Sequence, residues 1–501
     1  MPAAVAAAEA AQEAPDLVLE FALDPAVAAR LTRHPAIVAM RAGRGRSAAE
    51  ELIWLDTLEG ALAAEGLALE APRRGARRRL RVLPPKGAAW LPGTPPEATP
   101  GVEDTGSDAP LVPLAAFSGR HSVIPLSSEP GPLRLELCTG KLRAVADERP
   151  AARLRIGGAA GPVLSLARRL ASDLPLLPPA AALAEEGRAL ARGEIPRPRR
   201  RGPPDLGDAG TVEAALVAAI GHLLEVMLHY APLCRPEAGP EGVHQMRVAL
   251  RRLRSVLKAF RPAARCAAVD AFDRGLQILA KRLGEARDLD VFQDGIGARV
   301  ATAMPGDRRI ASLCKAMEAR RLSAYRALRE ALEGPGFRLL ILDGMELALR
   351  RPWQEAASEA PEQATVLAER LDAFAFRLLD KRWHRLCSEG EEIEALSAEA
   401  LHELRLSAKR LRYAAELFAP LWPGKAARRF LKRLSALQDA LGIANDTAVA
   451  RGLVARLGPP VPPWAIGAVE GFAVAEASGA RKRALSAWKD LMVVEPFWSD
   501  V

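Results

Sequence analysis

Two stretches of this chain, 158 residues apart, carry the same series of a histidine followed by cationic side chains. The first is His244-Gln-Met-Arg247-Val-Ala-Leu-Arg251-Arg252-Leu253-Arg254, and the second is His402-Glu-Leu-Arg405-Leu-Ser-Ala-Lys409-Arg410-Leu411-Arg412. Residues three and four positions apart lie on one face of an α-helix. Each stretch therefore predicts a helix with a row of positive charge, and arginine in such a row can bind two phosphate oxygens at once.

The first stretch separates a cationic stripe from an apolar face. At about 100° per residue, a stripe roughly 80° wide holds Arg247, Arg251, Arg254 and Lys258, and the opposite face holds Met246, Leu250, Leu253, Leu257 and Phe260. The second stretch repeats this pattern, except that Glu416 takes the place of Lys258. The sequence from Val243 to Ala259 has no carboxylate, although like charges on one helix face repel. We therefore expect an anionic ligand to neutralise the stripe.

Further cations could enlarge this binding surface. Arg274, Lys281 and Arg282 follow the first stretch, and Lys425, Arg428, Arg429, Lys432 and Arg433 follow the second. We expect both histidines to open their helices, where free backbone N–H groups and the helix dipole favour an anion. A single charged stripe is commonly a solvated face, but two matching stripes favour ligand binding. The candidate binding residues are His244, Arg247, Arg251, Arg254, Lys258, Arg274, Lys281, His402, Arg405, Lys409, Arg412 and Lys432.

The two stretches belong to a longer internal repeat. The same offset pairs Phe260 with Phe418, Phe272 with Phe430, Leu283-Gly284 with Leu441-Gly442, and Asp288 with Asp446. So long a period predicts two copies of a multi-helix unit, related by a pseudo-twofold axis. We interpret Arg287-Asp288 and Asn445-Asp446 as helix-end or interhelical hydrogen-bonding residues.

Composition limits the class of protein. A chain of 501 residues with 49% apolar side chains predicts two or three domains, and the formal net charge is +9. Five cysteines lie far apart without a Cys-x-x-Cys pair, which disfavours a zinc site or a disulfide framework. The segment Met1–Pro15 is not typical of a secretory signal, and charged residues and histidines interrupt the apolar stretch Val212–Leu233. We therefore predict a cytoplasmic protein with no membrane span, metal or cofactor.

The character of the sequence changes near residue 205. Before it, short apolar segments broken by Pro and Gly predict strands at Asp16–Leu23, Leu52–Asp56, Leu67–Ala71, Arg79–Leu83, Leu133–Cys138 and Arg153–Ile156, and a helix at Pro162–Ser172. Residues 93–113 are predicted to form a loop. A basic, Pro-rich linker is predicted at residues 191–210, and helical periodicity dominates residues 211–501.

The repeated motif resembles that of a known family. The pattern His-x-x-Arg-[Val/Leu]-x-x-[Arg/Lys]-Arg-Leu-Arg, followed each time by Leu-Gly-x-Ala-x-Asp, resembles the CHAD family, the conserved-histidine α-helical domain. The resemblance covers roughly Thr211 to the carboxyl end. It implies an all-α domain of two pseudo-symmetric four-helix bundles that binds inorganic polyphosphate on a basic surface. Some members associate with polyphosphate or polyhydroxyalkanoate granules, so the resemblance leaves granule association open.

Residues 1–190 resemble a CYTH domain, an antiparallel β-barrel that holds triphosphate in a tunnel. The matching segments are Leu17–Phe21, Trp54–Thr57, Ala61–Leu69 and Asp173–Leu176. The family's catalytic motifs are eroded: Glu-x-Glu-x-Lys reads Asp16-Leu-Val-Leu-Glu20, Arg-x-Arg reads Glu70-Ala-Pro72, Glu-Leu-Lys reads Glu136-Leu-Cys138, and Ser-Lys-x-Glu-Arg-Gly reads Ala182-Leu-Ala-Glu-Glu-Gly187. Because such a tunnel needs carboxylates for a metal and cations for the triphosphate, we expect no catalysis. Asp56 and Glu136 are predicted to be structural.

Together these patterns predict an α+β two-domain protein that binds polyphosphate without catalysis. The alternatives are a metal-dependent inorganic triphosphatase, a nucleic-acid binder, and a basic scaffold for an acidic granule protein. Aromatic residues make up only 5% of the chain, which disfavours recognition of single-stranded nucleic acid by base stacking.

Overall fold

The computed structural model of the protein describes residues 17–83, 91–101, 109–194, 196, 202–206, 209–459 and 461–499. The side chains at positions 398, 444–448 and 476–477, the segment Met1–Pro15 and much of the predicted linker lie outside the described part. Two compact units emerge from the contacts within the chain: residues 1–85, 90–199 and 333–346 form one, and residues 86–89, 200–332 and 347–501 form the other. We call them the sheet unit and the helical unit. The domain boundaries drawn from sequence stay predictions.

The sheet unit contains one eight-stranded antiparallel sheet that curls into a half-barrel. Its strands are β1 (Leu17–Ala22), β2 (Arg46–Thr57), β3 (Leu67–Pro72), β4 (Arg78–Arg81), β5 (Glu97–Pro100), β6 (Leu111–Leu126), β7 (Leu133–Arg143) and β8 (Glu148–Gly158). Their order in the sheet is β1-β8-β7-β6-β2-β3-β4-β5. This confirms the predicted antiparallel, barrel-like fold. Strand β5 lies within the predicted loop, because all four of its residues are exposed and no apolar alternation marks them.

Five helices accompany the described sheet: α1 (Pro25–Leu31), α2 (Pro35–Met40), α3 (Ala61–Ala64), α4 (Ala160–Asp173) and α5 (Leu183–Arg192). Alternation along the strands buries Leu19 and Phe21 of β1 on the face that α1 and α4 cover. Helix α5 packs on the opposite face, where a Cβ at Gly187 would lie 2.9 Å from the Cβ of Ala115. The absence of a side chain at Gly187 thus permits close packing of α5 on the sheet.

The helical unit is mostly α-helical, as predicted. The described helices from residue 212 onward are α6 (Val212–Tyr230), α7 (Glu241–Ala259), α8 (Ala267–Phe292), α9 (Ala298–Ala303), α10 (Arg308–Glu333), α11 (Pro335–Arg350), α12 (Trp353–Ser358), α13 (Pro361–Ala368), α14 (Leu371–Gly390), α15 (Ala398–Phe418), α16 (Lys425–Ala455), α17 (Pro463–Ala477) and α18 (Ala480–Met492). A five-residue π-helical segment, Gln293–Gly297, joins α8 to α9. Residues 333–346, which include most of α11, belong to the sheet unit.

The internal repeat is visible in how the helices pack. Helix α7 lies between α6 and α8, and α15 lies in the same way between α14 and α16. The two copies meet at equivalent residues, because the rings of Phe260 and Phe418 contact each other with centroids 5.9 Å apart. The predicted apolar faces are confirmed: Leu250 and Leu253 of α7 and Leu404 and Leu411 of α15 are fully buried. The two basic helices are therefore neighbours with their apolar sides in the core.

One helical stretch among the described residues, Val212–Leu233, is long and apolar enough to cross a membrane. Of its most apolar 18 residues, 72% are buried within the structure, and the helix packs against α7 and α14. Such burial is typical of a core helix, which passes the same test of length and composition.

A cationic groove between the two repeat copies

Both basic helices begin earlier than the sequence suggested. Helix α7 starts at Glu241 after Pro240, and the backbone N–H of His244 already donates to the Pro240 carbonyl at 3.0 Å. Helix α15 starts at Ala398, where the Ser397 hydroxyl accepts a hydrogen bond from the Ala400 N–H at 3.2 Å. The expectation that the histidines open their helices was therefore wrong. Any role they have in binding an anion depends on the imidazole rings, not on free backbone N–H groups.

An open groove of about 1170 Å³ lies between the two copies of the repeat. Five of the predicted residues line it: His244, Arg247 and Arg251 from α7, and Arg405 and Lys409 from α15. Three more cations line it as well: Arg287 from α8, Arg299 from α9 and Arg483 from α18. Against these seven Arg and Lys side chains, the described lining residues include two carboxylates, those of Asp288 and Asp439. The groove thus concentrates positive charge from both repeat copies in one place.

Arg247 reaches the groove across a glycine. A Cβ at Gly284 of α8 would lie only 2.8 Å from Arg247 Nη1, so the bare backbone provides the space for the guanidinium. Arg247 Nη1 then lies 3.7 Å from Asp288 Oδ1, one turn further along α8. Burial lowers the pKa of Arg247, and Asp288 opposes that effect. The Leu-Gly-x-Ala-x-Asp motif therefore positions a groove arginine, and Arg287-Asp288 lies inside α8, not at a helix end.

Arg251 and Arg287 carry the least compensated charge of the groove. Among the described residues, neither lies within 4.0 Å of a carboxylate oxygen. The guanidinium of Arg251 lies 5.9 Å from the ring centre of Tyr413 on α15, at the outer limit of a cation–π contact. Its Nε is buried and has no hydrogen-bond partner among the described residues. Because an unsatisfied buried donor is unfavourable, this atom would gain from an acceptor in the groove.

His244 lies among these cations and is half-buried. Burial, the main cause, lowers its pKa below the usual 6.5, and the charges of Arg287, Arg251 and Arg247 lower it further, while Glu241 raises it. The imidazole is therefore neutral at pH 7 when no anion is near. A neutral imidazole can still donate one hydrogen bond to a phosphate oxygen.

Several predicted residues lie away from the groove and have protein partners. Arg254 Nε donates to Asp273 Oδ1 of α8 at 2.7 Å, and Arg412 Nε donates to Glu416 Oε1 at 2.7 Å. The other oxygen of Glu416 accepts from Arg252 Nη2 of α7 at 3.0 Å, so one carboxylate joins the two basic helices. Neighbouring carboxylates therefore neutralise part of each stripe, which the sequence between Val243 and Ala259 could not reveal.

The remaining candidates do not line the groove and are exposed: Lys258, Arg274, Lys281, His402 and Lys432. His402 thus departs from the position of its repeat partner His244. The side chains of Asn445 and Asp446 lie outside the described part of the chain. Sequence reasoning missed Arg299 and Arg483, which have no repeat partner of like charge and reach the groove only through packing of α9 and α18.

The carboxylates of the sheet unit have structural partners. Asp56 is buried, and its two oxygens accept hydrogen bonds from the backbone N–H groups of Thr57, Leu62 and Ala63 at 2.7–3.0 Å. Glu136 pairs with Arg134 at 2.6 Å and with His121 at 3.3 Å. Glu20 is buried beside Arg155, with an oxygen 2.6 Å from Arg155 Nε. In the described residues no group of three or more His, Cys, Asp or Glu side chains could hold a metal ion.

Fold and groove define a two-domain α+β protein whose doubled helical repeat collects cations. Residues 218–455 match the CHAD domain family, and the chain therefore contains a CHAD domain. The half-barrel sheet is consistent with a CYTH-like domain.

Solved structures also resemble the chain. The crystal structure of the CHAD domain from the plant Ricinus communis is 26% identical, with a TM-score of 0.50, over 57% of this chain and 93% of that one. PptA from Streptomyces chartreusis is 16% identical, with a TM-score of 0.42, over 56% of this chain and all of that one. No curated protein matches the chain.

Proposed function

We propose that the groove binds inorganic polyphosphate without catalysis. The observation that carries this proposal is the convergence of His244, Arg247 and Arg251 with Arg405 and Lys409 in one groove. These residues come from equivalent helices 158 positions apart in sequence. A linear anion with a charge on every unit can contact both helices at once. The membership of residues 218–455 in the CHAD family, which is linked to polyphosphate binding, supports the same ligand.

The spacing of the cations suits such a ligand. Arg247 and Arg251 are four residues apart, as are Arg405 and Lys409, which corresponds to about 6 Å along each helix axis. Each helix therefore offers a cation about once per turn. The excess of cations over carboxylates in the groove means that much of the binding free energy comes from charge neutralisation. Affinity should consequently fall steeply as the salt concentration rises.

Titration of the full chain with polyphosphate of defined lengths at several salt concentrations tests the proposal. We expect Arg251→Ala and Lys409→Ala each to weaken binding about tenfold and to reduce the salt dependence by about one counterion, because each removes one phosphate contact. Lys258→Ala and Lys432→Ala are charge-matched controls on the same region of the chain, exposed and outside the groove lining. If all four variants bound polyphosphate with the affinity of the wild type, the assignment of the groove as the binding site would be wrong.

Two further measurements separate the alternatives. We propose that the sheet unit is non-catalytic, since Asp56 caps α3 and Glu20 and Glu136 are paired with arginines. The proposal would be contradicted if the protein released phosphate from tripolyphosphate with magnesium or manganese and the Glu136→Gln variant did not. If duplex DNA displaced bound polyphosphate as effectively as free polyphosphate does at equal phosphate concentration, the result would favour a nucleic-acid binder.

A further inference from the structure

The two repeat histidines are equivalent in sequence but differ in their surroundings. His244 lines the groove and is half-buried, whereas His402 is exposed and does not line it. The residue after the shared Leu-Gly-x-Ala element also differs, since Arg287 in the first copy corresponds to Asn445 in the second. The basic helix and the helix after it therefore bring a histidine and three arginines to the groove in the first copy, and the described residues of the corresponding helices bring Arg405 and Lys409 in the second.

Charged groups on several helices face His244. On its own helix α7 these are Glu241, Arg247 and Arg251, and α8 contributes Arg287. Around the groove the other charged groups are Asp288 of α8, Arg299 of α9, Arg405 and Lys409 of α15, Asp439 of α16 and Arg483 of α18. None of the largest electrostatic influences on His244 comes from α6, which also packs against α7. Cations outnumber carboxylates in the groove lining, so the protein's own charges favour the neutral imidazole.

A polyanion in the groove reverses this balance. Negative charge within a few ångströms stabilises the imidazolium and offsets the repulsion from Arg247, Arg251 and Arg287. A protonated His244 gains a second N–H donor and a positive charge, both directed at an acceptor-only ligand. His402 is exposed and does not line the groove, so it lies away from a ligand bound there.

We propose that the groove is polarised toward the first repeat copy, where His244 takes up a proton as polyphosphate binds and His402 takes no part. This inference rests on the proposed function of the groove. It makes His244 a pH-sensitive binding residue. Affinity should rise as pH falls between the pKa of His244 in the complex and its lower pKa in the free protein. The slope can be at most tenfold per pH unit for one proton, and it vanishes outside that interval.

Calorimetric titration of the full chain with long-chain polyphosphate tests the inference. Titrations at one pH near 6.5 in buffers of different ionisation enthalpy count the protons taken up on binding. Long chains are the right probe because their internal phosphates stay ionised near neutral pH, so the protons are taken up by the protein. We expect wild type and His402→Gln to take up a fraction of a proton, up to one, per bound groove. We expect His244→Gln to take up none and to lose the pH dependence of affinity.

The outcomes discriminate between the inference and the proposed function. Undiminished proton uptake in His244→Gln, or its loss in His402→Gln, would overturn the inference. Binding without proton uptake in wild type would overturn it too, but would leave polyphosphate binding standing. Absence of binding in wild type would refute both. Histidine NMR titrations of the wild type with and without polyphosphate provide a readout independent of the variants, with one resonance expected to shift its midpoint upward.

Discussion

At the scale of single residues, Glu416 neutralises two arginines of the basic helices, as an anionic ligand would. It accepts from Arg412 of its own helix and from Arg252 of the other basic helix, and its side chain is only 15% exposed. Glu416→Ala should destabilise the helical unit by about 1–3 kcal/mol, because it leaves two part-buried guanidiniums unpaired. The midpoint of urea unfolding measures this change. Glu403→Ala, an exposed change on the same helix, is the control, and an equal effect of both would contradict this role for Glu416.

The pair of His121 and Glu136 leads to a second prediction at this scale, which concerns how the stability of the sheet unit depends on pH. A hydrogen bond to Glu136 chiefly raises the pKa of His121, and the same bond chiefly lowers the pKa of Glu136. The contribution of His121 to the free energy of unfolding is complete below pH 6.5 and is lost as the pH rises through the raised pKa of His121. The contribution of Glu136 to the free energy of unfolding is present above pH 4.5 and is lost as the pH falls through the lowered pKa of Glu136. The pair therefore stabilises most between these limits.

We accordingly expect His121→Gln to lower the stability of the sheet unit by about 1 kcal/mol near pH 5.5 and by less at pH 9. Thermal unfolding of both proteins across this range measures the difference. His402→Gln is a suitable control, because His402 is exposed and lies on helix α15 of the other unit. A difference that grows toward pH 9 would show that the ion pair is not its source.

At the scale of elements, the glycines of the repeated Leu-Gly pair determine how closely the side chain of a groove arginine can pack against the backbone of the next helix. A Cβ at Gly284 would lie 2.8 Å from Arg247 Nη1, but the nearest atom to one at Gly442 is Arg405 Nε, at 4.0 Å. Alanine is favoured over glycine in a helix by about 1 kcal/mol, and the end of an arginine can move. Gly284→Ala and Gly442→Ala should therefore both fold at least as stably as wild type.

Their polyphosphate affinities should differ, if the groove binds polyphosphate as proposed. Gly284→Ala displaces the Arg247 guanidinium from Asp288 and from the groove, and we expect affinity to fall several-fold. Gly442→Ala leaves Arg405 in place and should bind as wild type does. Titration at one moderate salt concentration, with thermal unfolding alongside, measures both effects. Equal losses in the two variants would mean that helix packing matters more than the position of Arg247.

Sequence periodicity predicted the faces of the basic helices, because burial of residues such as Leu250 and Leu404 is set along a single helix. It could not predict which stripe residues meet carboxylates. The partner of Arg254 is Asp273 on the next helix, and that of Arg252 is Glu416, 164 residues away. Arg299 and Arg483 were missed for the same reason, since their approach to the groove depends on tertiary packing. The Arg412–Glu416 pair, whose members are four residues apart on one helix, could be found locally.

At the scale of the whole molecule, a helix from the carboxyl half completes the sheet unit. Arg338 of α11 is buried and donates from Nε to the Ala171 carbonyl at 2.6 Å, at the end of α4. Arg168 of α4 lies 2.6 Å from both Asp343 and Glu346 of α11. Periodicity identifies α11 as a helix but cannot tell which core it joins. The sheet unit is therefore discontinuous in sequence.

This discontinuity makes a prediction about fragments. A fragment of residues 1–210 lacks α11, leaves the end of α4 and Arg168 without their partners, and should unfold at a lower temperature than the sheet unit of the full chain. A peptide of residues 333–350 added in trans should bind the fragment and raise its unfolding midpoint, because it restores those contacts. The same peptide with Arg338→Ala should stabilise the fragment much less, since it leaves the α4 carbonyls uncapped. A fragment as stable as the full chain, indifferent to both peptides, would mean that α11 only rests on a unit that is complete without it.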